Sequence, residues 1–93
     1  MASIKTRVED LKKGISQLKK TREEYNSQIA ELDNLKSELE GVWTSPAATK
    51  FIDSIRFRKR ILELNIEIID DILEAAQNRI ELIQRRSILM FIL

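Results

Sequence analysis

Residues 40–48 read EGVWTSPAA, and this stretch separates two halves of the 93-residue chain that look alike in composition. It holds the only Trp, the only Pro and one of the two Gly residues of the sequence. Gly41 suits the position just past a helix end, because glycine accepts a left-handed conformation there. Ser45 suits the N-cap of a following helix, and Pro46 suits its first position. The stretch therefore predicts the end of one helix, a short turn and the start of another.

Apolar residues on both sides of this turn recur in alternating steps of three and four, the spacing of a helix that packs along one seam. In the first half they are Ile4, Val8, Leu11, Ile15, Leu18, Tyr25, Ile29, Leu32, Leu35 and Leu39. In the second half they are Ala48, Ile52, Ile55, Leu62, Ile66, Ile69, Leu73, Ala76, Ile80 and Ile83. We predict helix 1 over about residues 3–40, a turn at 41–45 and helix 2 over about 46–90. A connection this short favours antiparallel neighbours, so residues 1–93 should form one all-α helical hairpin.

Helix 2 carries a second apolar stripe beside its seam. Its members are Phe57, Ile61, Leu64, Ile68, Ile72, Ala75 and Leu82. A helix that is apolar around much of its circumference is buried on more than one side. We therefore expect helix 2 to contact helix 1 on one side and another chain on the other, so that two hairpins pair into a four-helix bundle as a dimer. The second hairpin is either another copy or a related chain.

The turn contains two large apolar residues, Val42 and Trp43, at a place where polar residues are usual. We expect them to dock on the partner chain. The alternative is that Trp43 folds back on Leu39 and Phe51 of its own hairpin. The predicted partner-binding residues are Val42, Trp43, Phe51, Phe57, Ile61, Leu64, Ile68, Ile72 and Leu82.

Charged blocks match in sign across an antiparallel hairpin, which favours one register over slipped ones. Acidic Glu31, Asp33, Glu38 and Glu40 would lie along Lys50, Arg56, Arg58, Lys59 and Arg60, and basic Lys12, Lys13, Lys19, Lys20 and Arg22 would lie along Glu63, Glu67, Asp70, Asp71 and Glu74. Arg22 takes a seam position, so we expect it to be partly buried. It would pair with Glu67 or with an acid of a partner chain, unless its stem only covers the seam.

The composition argues against catalysis and against bound cofactors. The chain has no His, no Cys and no glycine-rich phosphate loop, and its formal net charge is +1. We expect no enzyme activity, no cofactor, no metal site and no nucleic-acid partner. The apolar run at residues 88–93 is too short to span a bilayer, which needs roughly 20 residues. It should either meet a partner or fold over the open end of the hairpin.

The turn sequence Trp43-Thr44-Ser45, followed by Pro46 and Phe51, resembles the WXG family of type VII secretion. Two amphipathic helices around a central Trp turn are the layout of that family. Gly41, Trp43, Thr44, Ser45 and Pro46 form the turn motif here, with Ser45 in place of the motif Gly. The resemblance implies a small secreted substrate or a targeting partner of a secreted toxin, which acts by helix–helix association as a homodimer or a heterodimer.

The same resemblance bears on where the protein acts. It implies a bacterial cytoplasmic protein that can leave through a type VII system. Exported members of the family often carry Tyr-x-x-x-Asp/Glu after helix 2, but the only Tyr here is Tyr25, inside helix 1. A chain without that signal suits the role of an escort, whose partner chain supplies part of the recognised surface. The alternative function is a coiled-coil scaffold or adaptor subunit that has no link to secretion.

Overall fold

The computed structural model describes residues 3–92 of the chain, with side chains described for residues 3–90. Helix α1 covers Ile4–Val42 and helix α2 covers Pro46–Ile92, and residues 3–92 contain no strand. The predicted all-α helical hairpin is therefore confirmed. Over the described residues, neither helix combines the length and the apolar character that crossing a membrane requires.

Both helices begin at a serine cap. The Ser3 Oγ accepts a hydrogen bond from the Thr6 backbone N–H at 3.1 Å at the start of α1. At the start of α2 the Ser45 Oγ accepts one from the Ala48 N–H, also at 3.1 Å. Pro46 is the first residue of α2, where its missing N–H costs no helical hydrogen bond. The predicted cap at Ser45 is confirmed, and the cap at Ser3 adds a second one.

Helix α1 ends later than predicted. It continues through Gly41 and Val42, and the Trp43 N–H donates a hydrogen bond to the Leu39 carbonyl at 2.9 Å. No glycine within the described residues has a positive φ. The prediction that Gly41 adopts a left-handed conformation past the helix end is therefore wrong. Pro46 contributes to the break, because it has no N–H to donate to the Val42 carbonyl and disfavours helical geometry at Ser45. The turn comprises residues 43–45.

The chain forms two compact units, and the first, which we call the turn unit, comprises residues 22–67. Ala48, Ile55 and Leu62 of the predicted seam are buried there. The Lys59 Nζ lies 2.9 Å from the Asp33 Oδ1, and the Arg56 Nη2 lies 3.6 Å from the Glu40 Oε1. The helix segments of the turn unit therefore run antiparallel. Both pairs belong to the acidic and basic blocks that the sequence predicts to be neighbours.

The second unit, the terminal unit, contains residues 3–21 and 68–92 among those described. Its core is a cluster of buried residues, Val8, Ile15, Ile80 and Ile83, with Leu11, Leu73 and Ala76 packed against it. Every one of these residues belongs to the predicted seams. No large side chain among residues 3–90 is completely buried. The core of the terminal unit is thus a single row of contacts between two helix segments, without a second layer.

Candidate interaction surfaces

The second stripe of α2 is exposed in the turn unit. Phe57 is 70% exposed, and Ile61 and Leu64 are about two-fifths exposed. Ile55 and Leu62, on the adjacent seam of the same helix, are buried. The contrast follows from helical geometry, because residues three or four apart share a face and the stripe is rotated away from the face that packs on α1.

The terminal unit repeats this contrast on its own segment of α2. Ile68 is 56% exposed, whereas the next residue, Ile69, is 7% exposed. Ile72 and Leu82 are also exposed. Contiguous apolar surface of this kind marks an interaction site or a liability to aggregate. We define the outer stripe of α2 as Phe57, Ile61, Leu64, Ile68, Ile72, Ala75 and Leu82.

The turn exposes its apolar residues unequally. Val42 is 85% exposed, while Trp43 is 43% exposed and so has more than half of its surface covered. Val42 is the last residue of α1 and Trp43 is the first residue of the turn, and both lie within the turn unit. The docking of Val42 on a partner chain stays a prediction. Trp43 is intermediate, and the two expectations for it, docking on a partner or folding back on its own hairpin, both stay predictions.

An open groove lies between α1 and α2 in the turn unit, and sequence reasoning did not identify it. One end is a concavity of about 220 Å³ lined by Leu32, Leu35, Phe51, Ser54, Ile55 and Arg58. An adjoining concavity of about 380 Å³ shares Leu32, Leu35 and Arg58 and adds Gln28 and Glu31. Leu35 and Phe51 are 39% and 47% exposed. We call this surface the turn-unit groove.

The spacing in α1 carried a signal for the exposure of Leu35, although not for the groove itself. The apolar spacing in α1 passes through two consecutive steps of three, from Ile29 to Leu32 and on to Leu35. Such steps rotate the apolar row around the helix, as a short stammer does. Leu35 is therefore turned from the seam toward the groove. Its position opposite Phe51 across the groove depends on how the two helices lie side by side, which spacing within one helix does not specify.

The terminal unit has a larger concavity, of about 650 Å³, where the start of α1 lies beside the end of α2. Its lining residues are Ile4, Lys5, Val8, Glu9, Lys12, Gln84, Ser87 and Ile88. Ile88, Leu89 and Met90 are exposed near it. The predicted apolar run at residues 88–93 therefore leaves these three side chains at the surface. The side chains of residues 91 and 92, and the whole of residue 93, lie outside the described residues.

Lys59 interrupts the apolar seam of α2, and Asp33 compensates for its charge. The hydrogen bond and the charge of Asp33 raise the pKa of the Lys59 ammonium above the ordinary lysine value, with a smaller contribution from Glu63. Lys59 thus stays protonated while its stem fills a seam position. Arg22, the seam interruption of α1, is partly buried as predicted. Its pairing with Glu67 or with an acid of a partner chain stays a prediction.

The described residues contain no group of three or more acidic side chains placed to hold a metal ion. Neither glycine lies where another helix segment of the described residues approaches closely, because a Cβ atom added at Gly14 or Gly41 would meet no atom within 4 Å.

Comparisons of the chain with protein-family models, with curated proteins and with solved structures found no match.

Proposed function

We propose that this protein acts by helix–helix association, as a small WXG-like protein of a type VII secretion system. It would be either a secreted substrate or a targeting partner of a secreted toxin. The outer stripe of α2 and the turn residues Val42 and Trp43 would bind the partner chain. The protein would work in the bacterial cytoplasm and leave through the secretion system, alone or as part of the complex.

One observation supports association above the others. Ile69 is buried against its own chain while Ile68 beside it is largely exposed, and the same alternation recurs at Leu62 and Ile61. Burying apolar surface stabilises a complex by roughly 25 cal/mol per Å². A row of Ile, Leu and Phe side chains is therefore a source of association energy that the isolated chain leaves unused. The link to secretion is supported by the resemblance of the turn sequence Trp43-Thr44-Ser45 and by the two-helix layout.

The test uses the native host with its type VII secretion ATPase active or deleted. Culture supernatant and cell lysate are compared by immunoblot for this chain and for any toxin that purifies with it. We expect the chain, or the toxin, to reach the supernatant only when the ATPase is active. A toxin escort should also lose its cargo when Ile68→Glu places a charge in the outer stripe.

The matched control is Gln77→Glu, which adds the same charge at an exposed position of α2 outside the stripe. Helical content measured by circular dichroism should be the same in both variants. If neither the chain nor any protein bound to it depends on the ATPase for export, the link to secretion is wrong. The alternative function, a coiled-coil scaffold or adaptor unrelated to secretion, would then stand.

A further inference from the structure

Three consecutive apolar residues are exposed in the last turns of α2. Ile88, Leu89 and Met90 are 59%, 57% and 76% exposed, and the sequence continues with apolar residues at 91–93. Successive residues of an α-helix point about 100° apart, so these three side chains cover roughly 200° of the helix circumference. Leu89 stands seven residues after Leu82 and continues the outer stripe, whereas Ile88 and Met90 flank it. The apolar surface here therefore extends around more than half of the helix.

This distribution differs from what a single partner helix requires. A partner helix covers residues three or four apart, which form one stripe. A helix packed along the outer stripe would cover Leu89 and leave Ile88 and Met90 in water. A lipid layer is fluid and encloses apolar side chains that enter its interface from several sides at once. The exposure around α2 therefore favours a lipid layer over one helix.

Basic side chains from both helices lie close to these apolar residues. Arg85 and Arg86 are exposed on α2 about one turn earlier. Lys5 and Lys12 of α1 line the 650 Å³ concavity together with Ile88. Long cationic side chains can reach lipid headgroups while their apolar neighbours enter the layer. We define the terminal patch as Lys5, Arg85, Arg86, Ile88, Leu89 and Met90.

The formal charges of the two units have opposite signs. The terminal unit has nine basic and six acidic residues, which gives +3, and the turn unit has seven basic and nine acidic residues, which gives −2. Three acids of the terminal unit lie within residues 70–74, at least 14 residues before Ile88, or about 21 Å along the helix. Only Glu9, Asp10 and Glu81 remain to offset the cations around the patch. The basic excess is thus concentrated beside the exposed apolar residues.

We propose that the terminal patch binds the surface of an anionic lipid membrane, with Ile88, Leu89 and Met90 entering the boundary between headgroups and acyl chains. Charge complementarity selects this partner, because each basic residue near an anionic lipid surface strengthens binding by roughly fivefold. A second copy of the chain fits the patch less well, because two terminal units of charge +3 repel each other. This binding goes beyond the proposed function and does not depend on the link to secretion.

Cosedimentation of the purified full-length chain with lipid vesicles tests the proposal. The vesicles contain phosphatidylglycerol and phosphatidylcholine in equal parts, or phosphatidylcholine alone. We expect the unaltered chain to bind the anionic vesicles at least roughly tenfold more tightly than the neutral ones. The preference should shrink as the salt concentration rises from about 50 to about 500 mM, because salt screens the attraction.

A pair of double variants separates the position of the charge from its amount. Arg85→Gln combined with Arg86→Gln should weaken binding to anionic vesicles by roughly 25-fold, at about fivefold for each cation. The matched control combines Arg58→Gln with Arg60→Gln, which removes the same charge from exposed positions of the turn unit. The control should change binding by less than about twofold, because the attraction to the lipid surface falls off within a Debye length.

A second pair tests the apolar contribution. Met90→Gln replaces a side chain of the patch that is 76% exposed with a polar one of similar length, and it should weaken binding by roughly fivefold or more. Phe57→Gln is its control, because Phe57 is 70% exposed on the same helix but lies in the turn unit. Circular dichroism should show the same helical content in all variants.

Three results would each overturn the proposal. They are equal binding to neutral and anionic vesicles, no binding to either at about 1 mM lipid, and equal losses in a patch variant and its control. If no vesicle binds, but an acidic protein purifies with the chain from its host and is lost from the Arg85→Gln, Arg86→Gln variant, the terminal patch binds that protein instead of a membrane.

Discussion

Ile68 and Ile69 are adjacent on α2, have the same side chain and differ almost only in burial, so they form a natural pair for substitution. Ile69 is 7% exposed and Ile68 is 56% exposed. Full burial of an isoleucine side chain is worth about 1.5–3 kcal/mol, and truncation to alanine at a packed site adds the energy of the cavity left behind. We expect Ile69→Ala to lower the free energy of unfolding by about 2–4 kcal/mol.

The same reasoning gives a smaller loss at Ile68. Only 44% of its surface is covered, the complement of its exposed fraction, so the transfer energy falls to about 1 kcal/mol. No cavity is added, because water fills the vacated space. Alanine also favours the helix by a few tenths of a kcal/mol over isoleucine, which lowers both losses equally. The two variants should therefore differ by about 2 kcal/mol, or roughly 30-fold in the folding equilibrium.

Urea denaturation followed by circular dichroism measures both losses, and it should be performed on dilute protein to limit association. Equal losses at Ile68 and Ile69 in dilute solution would refute the assignment of Ile68 to the outer stripe. Repeating the measurement at high concentration extends the test. If the loss at Ile68 grows with concentration while the loss at Ile69 stays fixed, a second copy of the chain covers the outer stripe.

Two further predictions concern the glycine of α1 and the charged pair of the turn unit. Gly14→Ala should raise the free energy of unfolding by about 0.5–1 kcal/mol, because Gly14 is inside a helix and the added methyl group would meet no atom. Thermal or urea denaturation measures this change. A destabilised variant would indicate that another chain approaches Gly14 closely. Because Asp33 raises the pKa of Lys59, the pair should stabilise the fold fully below the ordinary lysine pKa of 10.5 and lose that effect as the pH rises through the raised value. Denaturation of the unaltered chain and of Asp33→Asn between neutral and strongly alkaline pH should give curves that converge at the alkaline end, and a constant difference would contradict the pairing.

The sequence predicted the faces of the helices well and their ends less well. Periodicity assigned Ile69 to the inside and Ile68 to the outside correctly, because the sidedness of a helix follows from residue spacing alone. Gly41 was misassigned because composition does not reveal whether a glycine ends a helix or lies in its last turn. The hydrogen bond from the Trp43 N–H to Leu39 decides that, and it depends on backbone geometry.

The turn-unit groove could not be found from spacing. Leu35 and Phe51 come from different helices, and their meeting depends on the lateral alignment of α1 and α2. Charge blocks predicted the neighbourhood of that alignment, as the pair between Asp33 and Lys59 confirms. They did not give the residue-level partners, because long side chains lean toward the N-terminal end of their helix and reach past the residue directly opposite.

The core of the terminal unit joins residues near both ends of the chain, and this determines when the core can form during synthesis. Val8 and Ile15 share their buried cluster with Ile80 and Ile83, so nearly the whole chain must be made before this cluster can close. At about 5–20 residues per second, the apolar face of early α1 waits for several seconds after it leaves the ribosome. Asp33 and Lys59 are only 26 residues apart and can meet sooner. A nascent chain therefore passes through a period in which the early part of α1 has no intramolecular partner, and during that period a chaperone or a sister chain has its best opportunity to bind.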